Sequence, residues 1–94
     1  MAGEPIGEFV FSPHAVFEMA RRGIDAGMVA GVLGAPEQRL IDRPGRVVLQ
    51  SRIASSAPGR VHLLRVVVDV HRVPAEVVTV YRTSKVQKYW RDDI

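Results

Sequence analysis

No cysteine occurs among the 94 residues, so neither a disulfide framework nor a thiolate zinc site is available. Nothing then ties the chain to an oxidising compartment, and the cytoplasm is the expected location. No apolar run approaches the roughly 20 residues that span a bilayer. The opening Met1-Ala2-Gly3-Glu4-Pro5 has neither the basic nor the apolar region of an export signal, so no membrane association and no export by that route are expected. Collagen and long coiled coils are excluded by the lack of a G-X-Y period and of a heptad series. What is present, 47% hydrophobic and 24% charged residues, is too apolar for a disordered chain. This length supports one core. The expected organisation is a flexible lead over residues 1–8 and a single domain over 9–94.

The formal charge of +3 is unevenly spread. Residues 1–33 carry Glu4, Glu8, Glu18 and Asp25 against Arg21 and Arg22. From residue 34 the eleven basic residues Arg39, Arg43, Arg46, Arg52, Arg60, Arg65, Arg72, Arg82, Lys85, Lys88 and Arg91 face six acids. A basic half of this kind suits an anionic partner, of which a nucleic-acid backbone is the commonest.

Phe9-Val10-Phe11 reads as a short apolar strand or a staple leading into Ser12-Pro13, an N-cap followed by a first-turn proline. The spacing predicts a helix over Pro13 to Arg22, closed by Gly23. Its apolar arc is Ala15, Val16, Phe17, Met19 and Ala20, with His14, Glu18, Arg21 and Arg22 opposite. A second helix, capped by Asp25, carries Met28, Val29, Val32 and Leu33 as its stripe and stops at Gly34 and Pro36. The period then changes to alternation. Arg39 to Asp42, Arg46 to Ile53, Val61 to His71 and Glu76 to Arg82 read as strands, joined by the Pro44-Gly45 turn, an Ala54 to Gly59 loop and a Val73-Pro74-Ala75 turn. The expected fold is α+β, with two N-terminal helices packed on one face of a four-stranded antiparallel β-meander and a short C-terminal tail.

Alternation in the longest strand puts His62, Leu64, Val66, Val68 and Val70 on the core face. The other, half-polar face would gather Arg46, Arg52 and Arg65, together with either Arg82 or the Thr79 and Tyr81 set. Several guanidiniums on an open sheet make a surface for phosphate. His71, beside Arg72 at a strand end, reads as exposed.

Phe11 to Ala15 (FSPHA), Arg21 to Ile24 (RRGI), Arg43 to Arg46 (RPGR), Leu64 to Asp69 (LRVVVD), Val78 to Lys85 (VTVYRTSK) and Lys88 to Trp90 (KYW) together resemble the bacterial family catalogued as domain of unknown function 4258. The likeness spans Phe9 to Arg91. That family has no settled activity. By its helices-then-meander order it is similar to the RelE-like toxins and other small metal-independent ribonucleases, a likeness of fold alone. The analogy implies an endoribonuclease toxin acting on RNA phosphodiesters, with a cognate antitoxin as partner.

Such cleavage needs a base for the 2′-OH proton, an acid for the leaving oxygen and cations for the charged phosphorane. His14 suits the proton transfer because an imidazole titrates near neutrality, with Tyr81 and Lys85 as the C-terminal counterparts. Arg21, Arg22, Arg46, Arg52, Arg65, Arg82 and Lys88 are the candidate phosphate or RNA ligands. Each has a duller role as well: Arg21 and Arg22 oppose the helix dipole, and Tyr89-Trp90 can dock as an apolar tail. His14 and Glu18 are spaced i, i+4 but lack a third ligand, so no metal is expected. No phosphate loop, dinucleotide fingerprint or nucleophile elbow is present, so no cofactor is expected either. The alternatives to a nuclease are a non-catalytic nucleic-acid-binding module and a protein-interaction domain, such as a homodimer joined at a strand edge. The choice turns on whether His14 reaches the same pocket as Tyr81 and Lys85.

Overall fold

A computed structural model of the chain describes residues 3–55 and 58–93. Its elements are β1 (Phe9–Phe11), α1 (Pro13–Arg22), α2 (Ala26–Gly34), β2 (Gln38–Arg43), β3 (Arg46–Ala54), β4 (Val61–Asp69), β5 (Ala75–Thr83) and α3 (Val86–Tyr89). The fold is α+β. All strands form one sheet in the order β1-β5-β4-β3-β2, in which β2 to β5 are the antiparallel meander. The sheet has five strands rather than four, because β1 pairs in parallel with β5, Phe9 beside Ala75 and Phe11 beside Val77. Phe9-Val10-Phe11, expected as a short strand or a staple, is a strand, and the open edge of β5 is what gives it ladder partners. The short helix α3 is a second element beyond the sequence expectation.

The first helix is fastened to the last strand through its cap. The Ser12 side-chain oxygen accepts the Ala15 N–H at 3.0 Å and donates to the Val78 carbonyl at 3.2 Å. The Ser12 N–H donates to the Val77 carbonyl at 2.9 Å. Val78 is the extra residue where β5 slips register, between the Val67–Thr79 and Val68–Val77 pairs. A bulge leaves one residue outside the ladder, and the capping hydroxyl takes up its carbonyl. At the far end Gly23 closes α1 in the left-handed conformation (φ 67°), with its N–H on the Ala20 carbonyl.

This anchoring sets a rotation of α1 that differs from its apolar arc. Ala15, Glu18 and Met19 are buried, whereas Val16 and Phe17 are 54% and 62% exposed. Glu18 enters the buried face because two arginines of the following turn accompany it. In α2 the Asp25 carboxylate accepts the Met28 N–H at 2.8 Å, and Val29, Val32 and Leu33 face inward. The segment expected as a flexible lead is tied down within the described residues. Gly3 and Ile6 donate to the Pro36 and Leu33 carbonyls at 3.1 and 2.8 Å, and Ile6 packs on the core.

Both long helices cover the same face of the sheet. Ala15, Met19, Ile24, Val29, Val32 and Leu33 meet Val47 and Leu49 of β3, Leu64, Val66 and Val68 of β4, and Val77 and Val80 of β5. The strand β4 ends at Asp69, two residues short of the expected His71, because the Asp69 carboxylate captures the His71 N–H at 3.1 Å and turns the chain. The opposite face is not an open polar surface. Val48, Gln50 and Leu63, which alternation places there, are all buried, and α3 packs across β4 on that side.

Loss of the Ser12 hydroxyl removes a helix cap and the partner of a bulge carbonyl together. Ser12→Ala is expected to lower unfolding stability by about 1–2 kcal/mol, read by urea denaturation. A change below a few tenths would show that the cap does not fasten α1 to β5.

Candidate functional site

The second face is organised by two glutamines that sit opposite each other, Gln38 of β2 and Gln50 of β3. Gln50 is fully buried. Its amide nitrogen donates to Gln38 Oε1 at 2.7 Å and to the Tyr89 carbonyl at 3.1 Å, while its own oxygen accepts from Arg65 Nε at 2.9 Å. Gln38 holds the next turn of chain, donating to the Arg91 carbonyl at 2.5 Å and accepting the Arg91 N–H at 3.1 Å. These bonds lay the segment Tyr89 to Arg91 across the sheet, since a buried amide must find partners.

Arg65, cross-strand from both Gln50 and Tyr81, lies in the frame this creates. Besides Gln50, it donates to the Tyr81 hydroxyl. Its guanidinium sits 4.2 Å from the Tyr89 ring centroid and 5.5 Å from that of Tyr81, and the two rings meet edge to face at 6.3 Å. Lys88 Nζ is 5.2 Å from the Tyr89 ring. Arg65 is half-buried, and among the described residues no carboxylate pairs with it.

Other expected phosphate ligands are committed internally. Glu18 Oε2 takes Arg21 and Arg22, each at 2.8 Å. The hydrogen bonds from Arg21 and then Arg22 hold the Glu18 carboxyl at about 2, well below its usual range. Arg52 grips Glu37 at 2.8 and 3.1 Å and lies 4.3 Å over the Trp90 ring. Arg52's side-chain hydrogen bonds lower the Glu37 pKa. Arg82 falls on the helix-covered side, opposite Leu64, and donates to the Arg22 carbonyl at 3.1 Å, closing the C-terminal end of α1. Of the alternatives for the half-polar face, Tyr81 is therefore the one present. Arg46, Arg65, Lys85 and Lys88 remain without a carboxylate partner among the described residues.

His14 does not join them. It is exposed on α1, and Glu18 turns to the arginines rather than to it. The start of α1 is pinned at Val77 and Val78 on the helix-covered face. Tyr81 lies three to four residues farther along β5, roughly 10–13 Å away, with its side chain on the opposite face. Lys85 lies farther still, at the start of α3. The sheet separates the imidazole from both groups. Sequence reasoning also missed the glutamine pair; its signal was the amide of Gln50 at the centre of an otherwise largely apolar strand, whereas Gln38 opens β2 and carries no such mark.

Among the described residues no group of His, Asp or Glu is placed to hold a metal ion, and no helix is long and apolar enough to cross a membrane. No family model, curated protein or solved structure matches the chain.

Replacing Gln50 with leucine leaves Arg65 Nε and the Tyr89 carbonyl without their partner. Gln50→Leu is expected to cost about 1–3 kcal/mol and to shift the emission of Trp90, the sole tryptophan, to the red. Unchanged emission would mean that the amide does not dock the C-terminal segment. A second expectation concerns acid. The Glu18 carboxyl titrates lower in the folded than in the unfolded chain, so its stabilisation is complete above about pH 4.5 and is lost as pH falls through about 2. Glu18→Gln is expected to flatten that part of the acid-unfolding profile, and a profile identical to the parent's would refute the assignment.

Proposed function

We propose that this protein is a non-catalytic nucleic-acid-binding module that takes the RNA backbone on the sheet face bearing α3. The observation that carries this reading is the Arg65 guanidinium, half-buried and held, among the described residues, by neutral partners. Burying a cation is costly without a counter-charge. Gln50 and Tyr81 use two of its five N–H groups, which leaves three donors and the full charge for an external phosphate. The amide and the stacked ring fix the fork before any ligand arrives, so little side-chain freedom is lost on binding. Lys88 adds charge beside the Tyr89 ring and Lys85 adds more at the start of α3, and the half-buried Tyr81 and Tyr89 rings supply aromatic surface of the kind on which bases stack. Binding without turnover is preferred to an endoribonuclease because His14, the expected base, lies across the sheet from Tyr81 and Lys85.

Fluorescence anisotropy with a labelled single-stranded oligoribonucleotide tests the proposal. Affinity is expected to fall steeply between about 50 and 200 mM salt. Arg65→Gln should weaken binding and reduce the salt slope by about one, whereas His14→Ala should change neither. The RNA should be recovered intact after incubation with EDTA. Cleavage that disappears in His14→Ala would restore the ribonuclease reading, and salt-insensitive self-association without RNA affinity would replace both with an interaction domain.

A further inference from the structure

The strands β2 and β3 join through Arg43-Pro44-Gly45-Arg46, with Gly45 at φ 81°. The end of β4 folds back onto this turn. The Val70 N–H donates to the Gly45 carbonyl at 2.9 Å, and the His71 ring lies so close that a Cβ on Gly45 would stand 2.5 Å from its Nδ1. Only glycine suits that backbone conformation and that approach. The result is a cleft of about 190 Å³ walled by Arg43, Arg46, Asp69 and His71 over Pro44 and Gly45.

The charge of this cleft is not balanced from within. Arg43 and Arg46 are paired directly across the hairpin, an arrangement in which like charges destabilise a ladder, and Asp69, cross-strand from Arg46 on its other side, is one carboxylate against two guanidiniums. Neither has a carboxylate within 4.0 Å among the described residues. The carboxylate that lines the cleft, Asp69, accepts the His71 N–H at 3.1 Å and lies 3.8 Å from Arg72, which also stands 3.8 Å from Glu76. Two arginines and an imidazole thus line a space ample for a tetrahedral oxyanion with water.

We infer that this hairpin cleft is a phosphate-binding site, in which the forks of Arg43 and Arg46 clasp the phosphate oxygens and His71 supplies a further polar wall. An anion between the two arginines replaces their repulsion with attraction. The cleft stands apart from Arg65, which precedes Asp69 by four residues of β4, roughly 13 Å. It therefore does not depend on RNA binding there.

Amide NMR spectra titrated with sodium phosphate, against sodium chloride at equal ionic strength, test the site. Phosphate is expected to shift the Gly45, Arg46 and His71 amides saturably, and chloride is not. Arg46→Gln should weaken phosphate about tenfold. Asp69→Asn keeps an acceptor for the His71 N–H while removing a negative charge from the cleft, and should tighten binding about threefold. Arg65→Gln should leave these shifts unchanged, which separates the site from the RNA-binding face. A single-stranded oligoribonucleotide with hydroxyl ends distinguishes the sources of the phosphate. If it moves the same amides, the cleft takes backbone phosphate; if inorganic phosphate alone does so, the ligand is free phosphate or a monoester. Absence of a saturable shift, an equal response to chloride, or indifference to both Arg46→Gln and Arg43→Gln in spectra that are otherwise native would overturn the assignment.

Discussion

A single buried amide governs the second face of this protein. Gln50 stands in the middle of the sheet with no exposure, and its oxygen and both of its amide hydrogens are engaged, by Arg65, Gln38 and the Tyr89 carbonyl. A buried amide left half-satisfied is costly, so these partners are mutually required. The C-terminal segment must cross the sheet to supply its carbonyl, and once there it brings Tyr89 against Arg65 and Trp90 against Arg52. Leu63 and Val48 are buried on the same side. A face that alternation would leave half-polar and open thus becomes a small second core with a cation at its margin.

The helix-covered face depends on a comparable fastening at the other end of the sheet. Ser12 joins the start of α1 to the bulge of β5, and Arg82 joins its end to the same strand. Held at both ends, α1 turns Glu18 inward and leaves Phe17 in solvent. Glu18 then gathers Arg21 and Arg22, whose charge is spent within the helix. The same logic sorts the remaining basic residues. Those facing an acid on a neighbouring turn or strand, such as Arg52 and Glu37, are neutralised in place. Arg43, Arg46, Arg65, Lys85 and Lys88 have no carboxylate within 4.0 Å among the described residues, although Arg46 stands cross-strand from Asp69.

For function, the sheet acts as a partition. A nuclease assembled from α1 and the end of β5 would need its imidazole and phenol on one side, but consecutive residues of a strand alternate faces. Val80 lies in the core beneath the helices and Tyr81 points away from it. On the α3 side, Arg65 is gathered with the Tyr81 and Tyr89 rings, apart from the imidazole of His14. At the hairpin the opposed arginines extend the same theme to a separate cleft.

Local chemistry in the amino-acid order was sufficient for both long helices with their Ser12, Gly23 and Asp25 boundaries, for the hairpin at Pro44-Gly45, and for the inward phase of Leu64, Val66 and Val68. Each of these rests on residues a few positions apart, where capping, turn geometry and a two-residue period act directly. Tertiary structure alone decided the pairing of β1, the rotation of α1, the docking of Tyr89 to Arg91, and which arginines lack a carboxylate. Those outcomes join partners such as Ser12 and Val78, or Gln38 and Arg91, whose separation carries no periodic signal. Charge balance between them depends on distances that exist only once the chain has closed on itself.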